Sequence, residues 1–461
     1  AVADAIPSIA VLPFANIGGD TANQYFADGM AEELTAALQK VPGLRVLSRR
    51  SSFAFRDSTG MDVRRIGGRL GAGAVVEGSV RREGDRVHVT VALTNVRDGV
   101  PLWSGTYERA RQDVFAVQDE VTRAIAGALS LTLSDGREWL APRRTRSLEA
   151  HELYLRGRFL FNNASSERNL RQAVTFYERA IAADSGHALA WAGIAEAWAW
   201  LADWHVAPTV AYPRAKAAAF RALALDSTLA EAHALLAAVQ AAHDWDFAGA
   251  QRSAARAIAL NPNSGNALVS AAMAYLDAGS VDSAVSVSRR ARMLDPLGAS
   301  TGYVASWVLT LAGRPEETIR EARTMLALDA EEPLALWVMG QALEAQDRRA
   351  EALEYLRRAA AVAPTARADY ARTLAALGRR DEARRILRAL EREADHRYVS
   401  PVAIGSVYLH LGDDDAAFRW LERAYRARSA EMTTVRVRPE WARAHKDPRF
   451  QAILRRVWRA G

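Results

Sequence analysis

The 461-residue chain contains no cysteine, which removes disulfides, thiolate nucleophiles and cysteine-based metal sites together. Lysine is nearly absent, so almost all of the 60 basic residues are arginine. Apolar runs are broken by charge well before the roughly 18 residues that a bilayer span needs, and no basic stretch followed by a hydrophobic one stands at the start. The residues given therefore predict neither a membrane span nor a leader. The first residue is alanine, not methionine, and the expectation is that an upstream piece, an anchor or an effector domain, precedes it.

Chemical signatures are equally scarce. Nine histidines are scattered, with no His-Glu-x-x-His helix and no close His/Asp cluster, so no metal is predicted. No glycine-flanked serine elbow occurs, and the many Asp–Arg neighbours suit ion pairs on helix faces better than acid–base work. "IAVLPFANIGGD" runs an apolar stretch into a glycine pair as phosphate loops do, but lacks the following Lys-Ser or Lys-Thr and the spaced glycine triplet. It is expected to be a turn. Gly67, Gly68, Gly71 and Gly73 lead from a helix into a strand, the reverse of the order a phosphate loop needs. The prediction is a non-enzymatic chain without a cofactor.

The charge of +6 and pI near 9.7 raise nucleic-acid binding. Most of the excess lies between Arg348 and Arg459, where arginine alternates with Asp and Glu, as on solvated helix faces. Nucleic acid is therefore disfavoured as a partner.

Two regions differ in period. From Ser8 to about Leu133, Ser8–Phe14 and Leu44–Ser48 read as buried strands, Gln24–Val41 as an amphipathic helix and Asp62–Leu70 as a shorter one. Three strand-like pieces follow, separated by Glu83-Gly84-Asp85 and Arg97-Asp98-Gly99, both hairpin signals. A helix starting near Asp113 closes the region. If the first two strands are parallel neighbours, "NIGGD" and "SRRSS" leave the sheet on one carboxyl edge, where open α/β sheets take ligands. Asp20, Arg49, Arg50, Ser51 and Ser52 then form a candidate ligand rim; the alternative is a solvated loop pair with serine capping.

Beyond a basic linker the sequence is helical and alanine-rich. Ala250, Ala284, Thr318 and Ala352 stand 34 residues apart, the tetratricopeptide spacing, and Pro262, Pro296, Ala330 and Pro364 follow the same register. Gly279, Gly313, Gly378 and Gly412 mark the turn inside each pair, with Asp347 standing in once. Looser copies (Gly157, Ala173 and Ala180; Trp191, Ala195 and Trp198; Ala383; Ala417 and Ala424) extend the array to about eight helix pairs. The expected fold is thus an α+β two-part chain: an α/β domain over 1–133, a linker over 134–147, an all-α solenoid over 148–429 and capping helices over 430–461.

In such solenoids the first helices of the pairs line a surface that holds an extended segment. In the three best-registered repeats those positions carry Val269, Met273, Tyr303, Trp307, Trp337 and Gln341. They are mainly apolar and aromatic, and predict a hydrophobic or amphipathic partner segment anchored by Tyr303, Trp307 and Trp337. Packing between neighbouring repeats is the alternative for some of them. Trp191 and Trp198 are expected in the core, and Trp200 and Trp204 are left open.

The repeat half resembles the tetratricopeptide family. The first half, through "IAVLPFANIGGDTANQYFADGMAEELTAAL", "LRVLSRRSSFAF" and "IGGRLGAGAVVEGSVRREGDRVHVTVALTNVRDGVPLWSGTYER", is similar to the TolB-amino-terminal-like domain. The ending "RPEWARAHKDPRFQAILRRV" resembles the tails of proteins that join the two. In those bacterial proteins the upstream part can be a CadC-type winged helix, an adenylate cyclase or a Ser/Thr kinase, commonly followed by a membrane helix. The resemblance implies an interaction module of a signalling or envelope protein, placed in the periplasm or at the cell surface in preference to the cytoplasm. It transfers no site residue. The implied partner is a protein or peptide. Independently of the resemblance, the alternative function is a structural subunit that self-assembles head to tail into an oligomer or filament, since a heterologous contact between copies need not close.

Overall fold

The structure, a computed structural model, describes residues 7–17, 23–56, 60–110, 113–129, 145, 147–162, 166–202, 204–362 and 366–458. Gly18, Gly19, Asp20, Pro364 and most of the expected linker lie outside the described residues. The chain forms two compact units. One comprises Ala1–Ile194 with the short stretches Asn261–Gly265 and Met293–Gly298; the other comprises Ala195–Leu260, Asn266–Arg292 and Ala299–Gly461. The sequence boundary follows the change of secondary structure, whereas the first compact unit also takes in the first helix pair, Leu148–Asn162 and Glu167–Ala183.

In the first unit, β1 (Ser8–Val11) is buried along its whole length and pairs in parallel with β3 (Arg45–Val46) and β4 (Ala74–Glu83). A strand with parallel neighbours on both sides and covered faces reads as a near-continuous apolar run, as Ile9–Val11 do, and the Ser8 hydroxyl at its start is served by the Gly73 N–H. Antiparallel β5 (Arg86–Asn95) and β6 (Pro101–Ala110) complete the order β3-β1-β4-β5-β6. Both hairpin turns fall at the expected glycines, Gly84 and Gly99, each with positive φ.

The first expected strand is shorter than Ser8–Phe14. Pro13 has no N–H to give a ladder, and the chain resumes pairing only at β2 (Ala15–Asn16), against Ser79 and Val80 of β4. The Phe14 ring lies over Gly78, where a Cβ would stand 2.8 Å from the ring; that close approach requires glycine. The second expected strand also ends early. Ser48 caps a short helix, α2 (Arg49–Phe53), by accepting from the Ser51 N–H, so "SRRSS" is a helix start and not a strand exit.

Helices α1 (Gln24–Leu38), α3 (Val63–Leu70) and α4 (Val114–Ala128) cover the sheet, and α1 also packs against α5 (Leu148–Asn162), the first helix of the first pair. Its partner α6 (Glu167–Ala183) supplies Tyr177, wedged between Gly157 and Gly193; a Cβ at either would come within 2.5 or 2.7 Å of the ring.

Pairs continue through α7 (Ala188–Leu201), α8 (Pro208–Leu225), α9 (Ala230–Val239), α10 (Phe247–Leu260), α11 (Gly265–Asp277), α12 (Val281–Leu294), α13 (Ala299–Leu311), α14 (Pro315–Leu328), α15 (Pro333–Ala345), α16 (Arg349–Val362), α17 (Arg367–Ala376), α18 (Arg380–Ala394), α19 (Pro401–Leu411) and α20 (Asp414–Arg426). Among the described residues this makes eight pairs. Ala250, Ala284, Thr318, Ala352, Ala383 and Ala417 are all fully buried, so the repeated small residue lies where paired helices touch. The turn inside the pair needs a left-handed residue: Gly279, Gly313, Gly378 and Gly412 supply it, and Asp347 adopts φ 62° in the same role.

One pair is irregular. Helix α9 ends in a π-helical turn, Gln240–Asp244, and Trp245 follows with φ 61°. After α20 the chain passes through two 3₁₀ segments, Ala430–Thr433 and Pro439–Lys446, into α21 (Pro448–Trp458).

His187, at the start of α7, is buried beside the Tyr154 ring, and its Nδ1 accepts from the Ala190 N–H at 3.4 Å. Burial, reinforced by His151, pushes its pKa down to about 4. The neutral form is the folded form. Its contribution is therefore complete above pH 6.5 and is lost as pH falls from 6.5 towards 4, amounting to about 3 kcal/mol. His187→Asn keeps a capping acceptor and should flatten that acid limb in urea titrations at stepped pH, leaving the share due to His410, also pushed to about 4. Identical pH slopes in both proteins would contradict this assignment.

Candidate functional site

In the second unit the expected groove positions lie on the first helices of three successive pairs, α11, α13 and α15. Tyr303 of α13 stacks on Trp337 of α15, with ring centroids 5.8 Å apart, and Trp204, just past α7, meets Trp337 edge-on at 6.3 Å. Trp307, one turn beyond Tyr303, is 8% exposed and packs with Met273 of α11. Val269, one turn before Met273, is half-buried. Burial raises the Tyr303 phenol well above its ordinary range.

Beneath the aromatics lies a buried charge cluster. Trp337 Nε1 and Gln341 Nε2 both donate to the same Asp369 carboxylate oxygen, at 2.6 and 2.7 Å. Arg372, one turn along α17, donates to the other Asp369 oxygen at 2.6 Å and also pairs with Glu344, which accepts from Thr373 Oγ1 at 2.6 Å. Burial alone would raise the pKa of Asp369, but Arg372 and the donors from Trp337 and Gln341 hold it below the ordinary value. For Glu344 burial wins over Arg372 and the pKa rises. The Arg372 guanidinium is thus the counter-charge for two carboxylates with almost no water.

A stretch of the chain lies on this face. Thr433 donates its hydroxyl to Asp277, at the end of α11, at 2.7 Å, with both residues buried. The Arg438 guanidinium sits 4.7 Å from the centre of the Trp307 ring, within cation–π range. Arg438 pairs with Glu440 at 3.1 Å and Glu431 at 3.3 Å, both from its own stretch. Met432 and Val435 are fully buried in a cluster with Trp245, Leu409 and Trp441. Trp245 is covered by the Arg428 guanidinium at 4.0 Å and the Tyr425 ring at 5.2 Å; Arg428 itself has φ 52°.

The α/β rim has a different fate. Ser51 is fully buried, donates to Asp295 at 2.6 Å and accepts from the Leu297 N–H at 2.9 Å. Ser48 Oγ also bonds Asp295, and Asn263 Nδ2 donates to the Leu44 carbonyl at 2.9 Å. Ser52 is fully buried. Arg49 lies 3.4 Å from Glu32 and 3.8 Å from Asp28, while Arg56 reaches Asp28 at 2.6 Å and Arg158 reaches Glu32 at 2.7 Å. The stretches 261–265 and 293–298 of the same compact unit therefore cover this edge. Arg50 stays half-buried at the helix surface, and Asp20 is outside the described residues.

No family model matches the chain. A curated relative, putative adenylate cyclase 3 of Rhizobium meliloti (strain 1021), is 41% identical over 191 residues, covering 41% of this chain and 32% of the relative. The chain thus spans about a third of that protein's length. Similar solved structures include YrrB, described as a tetratricopeptide protein with an unusual peptide-binding site (19% identity, 41% of this chain and 92% of that one, TM-score 0.29). Another is the human IFIT1 dimer with m7Gppp-AAAA (16% identity, 68% and 81%, TM-score 0.44). The 34-residue recurrence and the helix pairs themselves carry the repeat assignment.

Sequence reasoning places Tyr303, Trp307, Trp337 and Gln341 together but misses Asp277, Asp369, Arg372 and Arg438. Asp369 and Arg372 carried a usable signal, an i,i+3 ion pair on the buried face of a first helix. Thr433 and Arg438 carried none, since their partners are 156 residues away in the first case and an aromatic face in the second.

Removing Arg372 strands Asp369 and Glu344 together. Arg372→Met should cost about 3–5 kcal/mol in urea unfolding, and adding Asp369→Asn and Glu344→Gln should recover most of it. A loss below about 1 kcal/mol for the single variant would show that water reaches the cluster.

Proposed function

We propose that this chain is a non-enzymatic protein-interaction module whose first-helix face, lined by Val269, Met273, Tyr303, Trp307, Trp337 and Gln341, binds a segment of a partner protein. The observation that carries the reading is the face itself: large aromatics set over a buried, oriented acceptor network, already bearing a stretch of polypeptide through a cation–π contact and a hydroxyl–carboxylate bond. Aromatic anchors in such a setting supply most of an interface's energy.

The setting follows from the sequence resemblance. The α/β unit is read as a TolB-amino-terminal-like domain, and the whole as the interaction part of a bacterial signalling or envelope protein, working in the periplasm or at the cell surface. The relative named as an adenylate cyclase is consistent with such a part being joined to a separate effector; the shared region is read as the recognition half and not the cyclase.

Peptides selected by display against the full chain provide the test. Trp307→Ala and Trp337→Ala should each weaken the selected peptides at least tenfold while the helical circular dichroism at 25 °C is retained, although each truncation lowers the unfolding midpoint because Trp307 is buried and Trp337 bonds Asp369. Weakened folding with intact peptide binding would assign these tryptophans to packing alone.

A further inference from the structure

Resting on that proposed reading of the first-helix face, we infer that the stretch Ser429–Trp441 is an intrasteric occupant, a built-in pseudo-ligand that a partner segment of matching chemistry displaces. Its pattern defines the partner: apolar side chains where Met432 and Val435 sit, a hydroxyl where Thr433 meets Asp277, and five residues after that hydroxyl an arginine for Trp307.

Three features make the stretch displaceable. First, its cation travels with its own counter-charges. Arg438 is paired with Glu431 and Glu440 of its own stretch, so its direct ion pairs withdraw with it; on the face Asp369 keeps its pair with Arg372 and loses only the longer-range attraction of Arg438. An ion pair split between face and tail would lock the tail, because each half would be left alone in a buried place. Second, the seat is irregular. It is reached through Arg428 at φ 52° and closed against Trp245 at φ 61° after a π-helical turn, and non-glycine residues hold such angles only where surrounding contacts impose them. Third, polar groups in and around the seat are unserved in the closed arrangement: the indole N–H groups of Trp245 and Trp441 and the Oε1 of Gln341 are buried with no hydrogen-bond partner among the described residues. Each subtracts from the stability of the closed state.

The chemistry of the seat is selective. Asp277 is buried and accepts a hydroxyl; Trp307 presents its ring to a guanidinium. A segment with an acid at the arginine position would meet the ring's negative face and the nearby Asp369, and is excluded. The covered fraction also sets affinity: a competent state populated only part of the time weakens apparent binding by that fraction.

The experiment uses a fluorescein-labelled peptide of this chain's own Ser429–Trp441 sequence, titrated by anisotropy into the full-length chain and into a Thr433→Val, Arg438→Gln variant. The variant should bind at least tenfold more tightly than the unmodified chain, and Trp307→Ala added to it should reverse the gain. Thr433→Val alone, the milder change, should give a smaller gain of about threefold and covers the case in which the double variant loses its helical dichroism. Equal affinity for the unmodified and released chains overturns the intrasteric inference while the face stands, provided Trp307→Ala still abolishes binding. Binding indifferent to Trp307→Ala in every background removes the face itself.

Discussion

The guanidinium of Arg372 is the piece on which the aromatic first-helix face depends. Two carboxylates, Asp369 and Glu344, lie on neighbouring first helices almost without water, and neither would remain ionised there alone. Arg372 bridges them. With its charge held, Asp369 can accept from the Trp337 indole and the Gln341 amide together, and the fixed indole becomes the platform for Tyr303 and Trp204. A buried ion cluster of this kind contributes little net stability compared with an apolar core of equal volume; what it gives is orientation. The aromatic face is therefore set by electrostatics beneath it, and the helix pairs supply the spacing.

Repetition explains the rest economically. A small residue every 34 positions lets paired helices approach, a left-handed turn residue reverses the chain, and the alternation places one helix of each pair on a common face. The departures from the repeat are concentrated in one neighbourhood: the π-helical turn at Gln240–Asp244, Trp245, Arg428 and the 3₁₀ stretch that follows. All of them meet the stretch that covers Trp307. Regular repeats build the surface, and local irregularity decides what covers it.

The repeat architecture was legible because each pair restates the same constraint, so that even Asp347 in place of glycine reads correctly. The meander was legible through its turns, at Gly84 and Gly99. What was not legible depended on distant partners. Serine capping at "SRRSS" is one of the two readings of that stretch; what it could not show is that the capped helix is covered, with Ser48 and Ser51 both bonded to Asp295, some 244 residues or more away. Pro13 signalled a break that the apolar run around it masked. Tyr303, Trp307, Trp337 and Gln341 could be placed on one face from helical spacing; that Arg438 would lie over Trp307 could not, since a cation–π partner leaves no periodic trace.

The central claim is that the first-helix face is a segment-binding surface whose present cover opens independently of the fold. Native-state hydrogen exchange of the full chain, read peptide by peptide, measures this directly. Amides of 430–446 should exchange through a local opening at least a hundredfold more populated than the opening that exposes α13, α15 and α17, and low denaturant should leave their exchange unchanged because little surface is exposed. If 430–446 exchanges only with global unfolding, at the same rate and denaturant dependence as those helices, the stretch is an integral part of the solenoid and the account fails.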